Sequence, residues 1–178
     1  GFEGVELGGK FPREPNALKA ALAPYNLDCV GGWYSGSLLT QDADAEIAAL
    51  QPHLNLLKAM GSTVFVFAET SNAVHSNKAV PLEGTPRLKS SEWAQFSDRR
   101  HIAKRGFTLD TGHAALGGVK SLDVIERHPN RIAHVHCKDV RGPIHAEARR
   151  TGKSFLDGVL AGMFTVPGDG SIDFGAVM

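Results

Sequence analysis

The sequence predicts an α/β protein built on a parallel sheet, and three observations support this prediction. Runs of β-forming residues alternate with helical patterns along the chain, which is typical of strands joined by helical crossovers. The clearest run, VFVF at 64–67, is continuously apolar, which suits a strand covered on both faces. Polar residues follow several of these runs, at the strand ends where α/β folds bind ligands.

Three strands are expected in the first 70 residues. They are GVEL at 4–7, the segment LDCVGGWYSG at 27–36 that runs into a glycine-rich loop, and the segment 62–69. Leucine and alanine residues with helical spacing predict a helix between the first two strands, and Asn26 is its expected stop.

A second helix is expected between the second and third strands. Asp42 or Asp44 could cap it, Pro52 should kink it, and Gly61 should end it. Its apolar positions recur with the helical period and predict its apolar face: Ile47, Leu50, Leu54, Leu57 and Met60.

The alternation continues after a polar segment at 70–90, which is long for a passive connection and could serve a site. Further helices are predicted at 90–100 and 121–130, and further strands at 106–110 and 131–139. The remaining predictions are one helix over 144–162, a loop after it, and a last helix starting at Asp173.

Composition and short motifs argue against several classes of function. The 178 residues suggest about one domain, and 19 basic residues balance 19 acidic ones, which gives no electrostatic case for nucleic acid or an anionic membrane. No apolar run approaches the roughly 18 residues that span a bilayer. Cys29 and Cys137 form no CxxC pair, so a reduced, cytoplasmic protein is expected. Dinucleotide and phosphate-binding glycine motifs are also missing from the sequence.

Two predicted strand ends carry the main candidate site. Asp110 could cap the helix that follows it or bind a metal, and His113 lies three residues further on. His134 and His136 are two apart on a predicted strand, so both should point to one face. Buried imidazoles need partners, which a metal or ordinary hydrogen bonds in the core could supply.

Other strand ends add weaker candidates. Glu69 ends an apolar run, and Lys138 and Arg141 follow the histidine strand, where cations suit an oxygen-rich ligand or simply a solvated loop. Trp33 and Tyr34 could wall a pocket or pack in the core. Oxygen and imidazole donors without thiolates favour Mn²⁺, Co²⁺, Fe²⁺ or Zn²⁺ over a structural zinc site.

These motifs resemble the inosose dehydratases of the xylose isomerase-like superfamily. LDTGH and HVHCKD are typical of the superfamily, and the combination of GWYSG, FTVPGDG and HVHCKDVR is more specific to the dehydratases. Further matches are GFEGVELGGKFPREP and PHLNLLKAMG. The resemblance implies a (β/α)₈ TIM barrel, incomplete in this chain. Residues 1–178 would form one such domain, without its first strand, its last strand and a strand–helix unit near 100–106.

By this resemblance, Asp110 and His136 match metal ligands, His134 would support them, and His113 would lie beside the substrate. Proton transfer and oxyanion stabilisation would fall to His113, Glu69 and Lys138. The metal would be Mn²⁺ or Co²⁺, with Zn²⁺ and Fe²⁺ as alternatives and glutathione as a candidate helper. The expected substrate-binding residues are Lys10, Trp33, Tyr34, Ser35 and Arg141.

The reaction implied is that of a hydro-lyase, which removes water from 2-keto-myo-inositol to give a trihydroxycyclohexane-dione in inositol catabolism. One alternative is a metal-dependent keto-sugar isomerase or epimerase of the same superfamily. Another is a sugar-binding barrel without catalysis. The expected partner is a small polyol ketone, with a second copy of the chain as a candidate partner in a homo-oligomer.

Overall fold

The structure, a computed structural model, describes residues 1–92, 94 and 106–178. Most of the helix predicted at 90–100, and the segment between it and residue 106, lie outside these residues. The chain divides into two compact units. The first unit contains 1–71 with the described residues from 88 to 94, and the second contains 72–87 and 106–178.

The described part of the first unit contains a parallel three-stranded sheet and the helices that connect its strands. Strands β1 (Gly4–Leu7), β2 (Asp28–Gly36) and β3 (Val64–Glu69) are neighbours in that order. Helices α1 (Pro15–Leu22) and α2 (Ala43–Ala59) form the crossovers. The core of this unit joins the strands to both helices through Leu7, Leu18, Leu22, Cys29, Leu56 and Leu57.

Local sequence explains where these helices begin and end. Glu14 accepts hydrogen bonds from the backbone N–H groups of Asn16 and Ala17, and Asp42 accepts one from Ala45, so each caps a helix. Asn26 adopts a left-handed φ of 51° after α1, which confirms the predicted stop.

The apolar face predicted for α2 is wrong at Ile47, which is 56% exposed. Glu46 and His53 are buried instead. Glu46 faces inward because its carboxylate accepts hydrogen bonds from the Ser37 backbone N–H at 2.7 Å and the Gln41 side chain at 2.9 Å. A polar residue with two hydrogen bonds to one carboxylate oxygen is thus buried next to the position where spacing alone predicts a buried apolar one.

Residues 72–87 and 106–178 of the second unit contain two strand pairs. Strands β4 (Phe107–Asp110) and β5 (Ile132–His136) are parallel, and β6 (Asp139–Val140) and β7 (Phe164–Thr165) are antiparallel. The predicted strand at 131–139 is therefore two strands, and β7 forms within the predicted loop.

Five helices belong to the described part of the second unit. They are α3 (Thr111–Leu116), α4 (Ser121–Arg127), α5 (Gly142–Arg150), α6 (Phe155–Leu160) and α7 (Phe174–Val177). The single helix predicted over 144–162 is wrong. Gly152 has a φ of 64° between α5 and α6, and Ser154 caps α6 by accepting a hydrogen bond from Asp157 N–H.

Candidate active site at the ends of β4 and β5

The parallel register of β4 and β5 brings Asp110 and His136 together. The two residues are direct partners in the sheet, so their side chains lie on the same face at the same level. Asp110 Oδ2 is 3.4 Å from His136 Nδ1, and both side chains are largely buried. Two strand ends that are 26 positions apart in sequence thus form one cluster of donor atoms.

Asp110 uses its two carboxylate oxygens for different contacts. Oδ1 accepts a hydrogen bond from the His113 backbone N–H at 2.9 Å, which caps α3. Oδ2 lies 2.8 Å from Lys138 Nζ. Burial alone would raise the pKa of Asp110, but the Lys138 and His113 contacts outweigh it and hold the pKa below its ordinary value. Asp110 is therefore an anion at neutral pH.

Thr111 and Gly112 fix the position of Lys138. Thr111 is fully buried, and its hydroxyl donates to the Lys138 carbonyl at 2.7 Å while accepting from the Lys138 N–H at 3.0 Å. A Cβ on Gly112 would lie 2.9 Å from Lys138 Cγ and 3.0 Å from a ring carbon of Phe164. The aliphatic carbons of Lys138 therefore lie close to the space that a side chain larger than that of glycine would occupy at position 112.

His113 lies on an aromatic surface formed by Phe155 and Phe164. Its ring centre is 5.3 Å from that of Phe164 and 5.8 Å from that of Phe155. Desolvation among these rings lowers the pKa of His113, although Asp110 opposes the shift. The side chain keeps access to solvent, so a neutral imidazole is available to a ligand near neutral pH.

His134 and His136 point to the same face of β5, as their spacing predicts. Their ring centres are 5.2 Å apart, and each ring offers a nitrogen within 4.8 Å of one on the other. Both residues are half-buried. The donor set on this face of the second unit is therefore one carboxylate and two imidazoles, a combination that suits divalent transition metals.

Asp139 and Arg141 serve the loop around β7. Asp139 is fully buried and accepts four backbone hydrogen bonds, from Val140, Gly168, Gly170 and Ile172. Arg141 donates to the Gly162 carbonyl at 2.7 Å and to Asp169 Oδ2 at 2.5 Å. The guanidinium predicted to bind substrate is thus engaged within its own loop.

The remaining predicted substrate residues lie in the first unit, where three of them line a cleft. Trp33, Tyr34 and Ser35 border this cleft of about 680 Å³ together with Arg13 and His53. The Trp33 indole is 40% exposed and donates to Ser35 Oγ at 3.1 Å. Lys10 is exposed in the turn after β1.

Tyr34 faces the helix side of the sheet. Its ring centre is 6.0 Å from that of Phe67 and 5.9 Å from that of His53 on α2. Burial raises the pKa of Tyr34, and the nearby Glu46 carboxylate raises it further. Its hydroxyl therefore stays protonated and can act as a hydrogen-bond donor.

Glu69 is held at the end of β3. Its Oε1 accepts from the Ser71 N–H at 2.9 Å and from the Ser71 hydroxyl at 2.5 Å. Its Oε2 is buried and makes no hydrogen bond to the described residues. Strand alternation places Glu69 on the face of Phe65 and Phe67, and Phe65 packs on the core.

His75, Thr111 and Gly112 are site residues that the sequence reasoning did not single out. Thr111 and Gly112 stand inside the LDTGH motif, so the motif itself was a signal for them. His75 lies in the long segment at 70–90, whose length indicated a functional loop without indicating which residue mattered.

The fold and site together define an α/β protein with parallel strands, whose carboxylate, imidazole and ammonium groups gather where β4 and β5 end. Comparison with known proteins gives the family. The chain is 37% identical over 214 residues to the rhizopine catabolism protein MocC of Rhizobium meliloti, covering 100% of this chain and 66% of MocC.

Two further relatives carry the dehydratase name. The chain is 32% identical to the inosose dehydratase of Geobacillus thermodenitrificans and 33% identical to that of Lacticaseibacillus casei. Each match covers 98% of this chain and 71% of the relative. No family model matches the chain. The chain belongs to the inosose dehydratase family, and it spans about two thirds of the length of MocC.

Proposed function

We propose that this protein is a metal-dependent hydro-lyase that dehydrates 2-keto-myo-inositol to a trihydroxycyclohexane-dione in inositol catabolism, in the cytoplasm. The observation that carries the proposal is the contact between Asp110 and His136, 3.4 Å apart at adjacent strand ends. The relatives named inosose dehydratase support the choice of reaction.

The donor atoms fit a divalent metal. Ligands lie about 2.0–2.2 Å from zinc and similar ions, so two ligands of one ion are roughly 3–3.5 Å apart. The Asp110–His136 distance has this value, and Lys138 shows that the Asp110 oxygen already attracts a cation. Mn²⁺ or Co²⁺ held there would polarise the ketone and make the neighbouring C–H acidic.

The chain's own residues supply the proton chemistry in this proposal. His113 takes the proton from the carbon next to the ketone, because its lowered pKa leaves the imidazole neutral at neutral pH. Lys138, whose ammonium lies 2.8 Å from Asp110, adds positive charge where the oxyanion develops. We keep Glu69 as an additional candidate for proton transfer, with its unpartnered Oε2 as the supporting observation.

Substrate binding is proposed for polar and aromatic residues that the family resemblance indicates. Trp33, Tyr34 and Ser35 border an open cleft that a hydroxyl-rich ring could enter. Lys10 and Arg141 are the further candidates, although the contact with Asp169 must open before Arg141 can reach a substrate. Glutathione remains a candidate helper by family resemblance.

We further propose that residues 1–178 belong to one (β/α)₈ barrel. The parallel strand pairs and the helical crossovers are the elements of such a fold. The alignment with MocC extends over 214 residues while the chain has 178, which supports the expectation of family segments that this chain lacks.

Ultraviolet detection of the dione tests the reaction. The metal-loaded protein incubated with 2-keto-myo-inositol and Mn²⁺ should form the absorbing dione, and protein treated with a chelator should form it at least tenfold more slowly. Formation of an epimer without dione would replace the dehydratase by an isomerase or epimerase. Binding of the ketone without any turnover would indicate a sugar-binding protein.

A further inference from the structure

A second imidazole lies beside His113 in the second unit. The ring centres of His75 and His113 are 6.0 Å apart in an edge-on arrangement, and the His75 ring centre is 4.4 Å from that of Phe155. Both histidines are exposed to solvent. Two imidazoles on one aromatic surface are therefore open to the same ligand.

The segment that carries His75 is held in place by contacts with α5, α6 and the connection between them. The Leu82 N–H donates to the Lys153 carbonyl at 2.8 Å, and Pro81 forms an isolated bridge with Ser154. Two ion pairs, Lys78–Asp157 and Glu83–Arg149, join the segment to the same region. These contacts hold residues 78–83, which follow His75 along the chain, against the region of the second unit that also carries Phe155.

The surroundings of His75 suit a hydroxylated carbocycle. Among the described residues its ring contacts His113 and Phe155 and makes no hydrogen bond, so its nitrogens are free for a ligand. The faces of Phe155 and Phe164 offer apolar surface for the C–H side of a ring. An imidazole above such a surface can hydrogen-bond a hydroxyl on the ring edge.

We propose that His75 binds the hydroxyl group that leaves as water, next to the carbon whose proton His113 removes; this inference rests on the proposed function. The C–H bond breaks, its proton moves to His113, and its electron pair forms the C=C bond of an enolate, whose charge rests on the former ketone oxygen. The electron pair then returns from this oxygen and forms a C=C bond to the carbon that carries the leaving hydroxyl, whose C–O bond breaks. The hydroxyl departs with the bonding pair and takes the proton from His113 to form water, and the enol that is left tautomerises to the dione. His75 donates a hydrogen bond to that oxygen and keeps its own protonation state.

Measuring the two halves of the reaction separately tests this role. Exchange of the proton next to the ketone in deuterated water, followed by NMR, reports proton removal, and dione absorbance reports water loss. In His75→Phe we expect exchange within threefold of the native protein and dione formation about 100-fold slower, the size of a typical acid–base contribution. His75→Gln keeps an N–H donor, so its dione formation should be at least tenfold faster than that of His75→Phe.

Controls separate this inference from a loss of structure and from the proposed function. His128→Phe alters a histidine that contacts Phe107 in the same unit and should leave both rates within twofold. Equal losses of exchange and dione formation in His75→Phe, or unchanged dione formation, would overturn the role of His75. If the native protein forms no dione, the proposed function is wrong, and the role of His75 that rests on it is wrong as well.

Discussion

Asp110 has a separate carboxylate oxygen for each of the two roles that its sequence context leaves open, helix capping and metal binding. One oxygen caps α3 through the His113 N–H, and the other faces Lys138 and His136. Helix capping and metal binding are therefore compatible, because each uses a different oxygen. The cap also fixes the carboxylate plane, which orients the second oxygen toward the His136 ring.

Thr111 should be a stabilising residue of the site. Replacing it by Val removes a buried hydroxyl that bonds both the N–H and the carbonyl of Lys138. We expect the free energy of unfolding in urea to fall by about 1–3 kcal/mol, since the Lys138 carbonyl loses the hydroxyl donor and the Lys138 N–H keeps only its bond to the His136 carbonyl. Thr151→Val, at an exposed position, should change it by less than about 0.5 kcal/mol. Equal effects of the two changes would contradict this role.

Gly112 should control the position of Lys138. In Gly112→Ala the new methyl group meets the lysine stem and Phe164, so Lys138 must move away from Asp110. We expect kcat for dione formation to fall about tenfold with folding intact, as judged by circular dichroism. Gly117→Ala has ordinary contacts of 3.4 Å and longer and should keep kcat within twofold. A Gly112→Ala protein with native kcat would refute the steric argument.

Individual residues show which contacts could be predicted from the sequence and which could not. Asp110 and His136 could be paired from sequence because parallel strands end at the same edge of a sheet. The contact between His75 and His113 could not be predicted from sequence, because the two positions are 38 apart and His75 lies in a loop without a regular period. The prediction that Ile47 lies on the buried face of α2 was wrong, because spacing alone cannot show that the neighbouring Glu46 finds hydrogen-bond donors in the interior.

The β6–β7 pair and the loop after it form an element organised by one carboxylate. Asp139 accepts four backbone hydrogen bonds that hold residues 168–172 against β6. Asp139→Asn replaces one acceptor oxygen by a donor amide that faces two N–H groups. We expect the free energy of unfolding to fall by about 2–4 kcal/mol at pH 7. Asp123→Asn on the exposed face of α4 is the matched control, with a change below about 0.5 kcal/mol.

The same element should show a defined pH dependence. Burial alone would raise the pKa of Asp139, but the four N–H donors outweigh it and lower the pKa below its ordinary value. Such a carboxyl stabilises the fold above its unfolded pKa of about 3.9, and the stabilisation is lost as pH falls through the lower folded pKa. The stability difference between the native protein and Asp139→Asn should therefore shrink from pH 6 to pH 2 in urea titrations. A constant difference would show that the charge of Asp139 is not the stabilising feature.

The break between α5 and α6 cannot be predicted from the helical spacing of the sequence. Helical spacing continues through 144–162, yet Ser154 caps a new helix and is almost fully buried. Ser154→Ala should lower the free energy of unfolding by about 0.5–2 kcal/mol, because Asp157 N–H loses its acceptor. Ser76→Ala, at an exposed loop position, should have no measurable effect. An unchanged unfolding midpoint in Ser154→Ala would argue against the cap.

For the whole molecule, the sequence was sufficient for the alternation of strands and helices from β1 to β3, and for β4, α4 and β5 in the second unit. The α/β alternation follows from local periodicity and turn residues, which the described elements confirm. Short elements such as the two-residue β7 were missed because their formation depends on Asp139, a contact distant in sequence. Family membership is shown by relatives of 30–37% identity, and no helix among the described residues has the length and apolarity to cross a membrane.

Mn²⁺ binding, measured by equilibrium dialysis with metal analysis, tests whether the ends of β4 and β5 form a metal site. We expect about one Mn²⁺ per native chain, with binding weakened more than tenfold in both Asp110→Ala and His136→Ala. His128→Ala, outside the cluster, should bind as the native protein does. Full Mn²⁺ binding by either cluster variant, with its fold intact by circular dichroism, would contradict a metal site formed by the ends of β4 and β5.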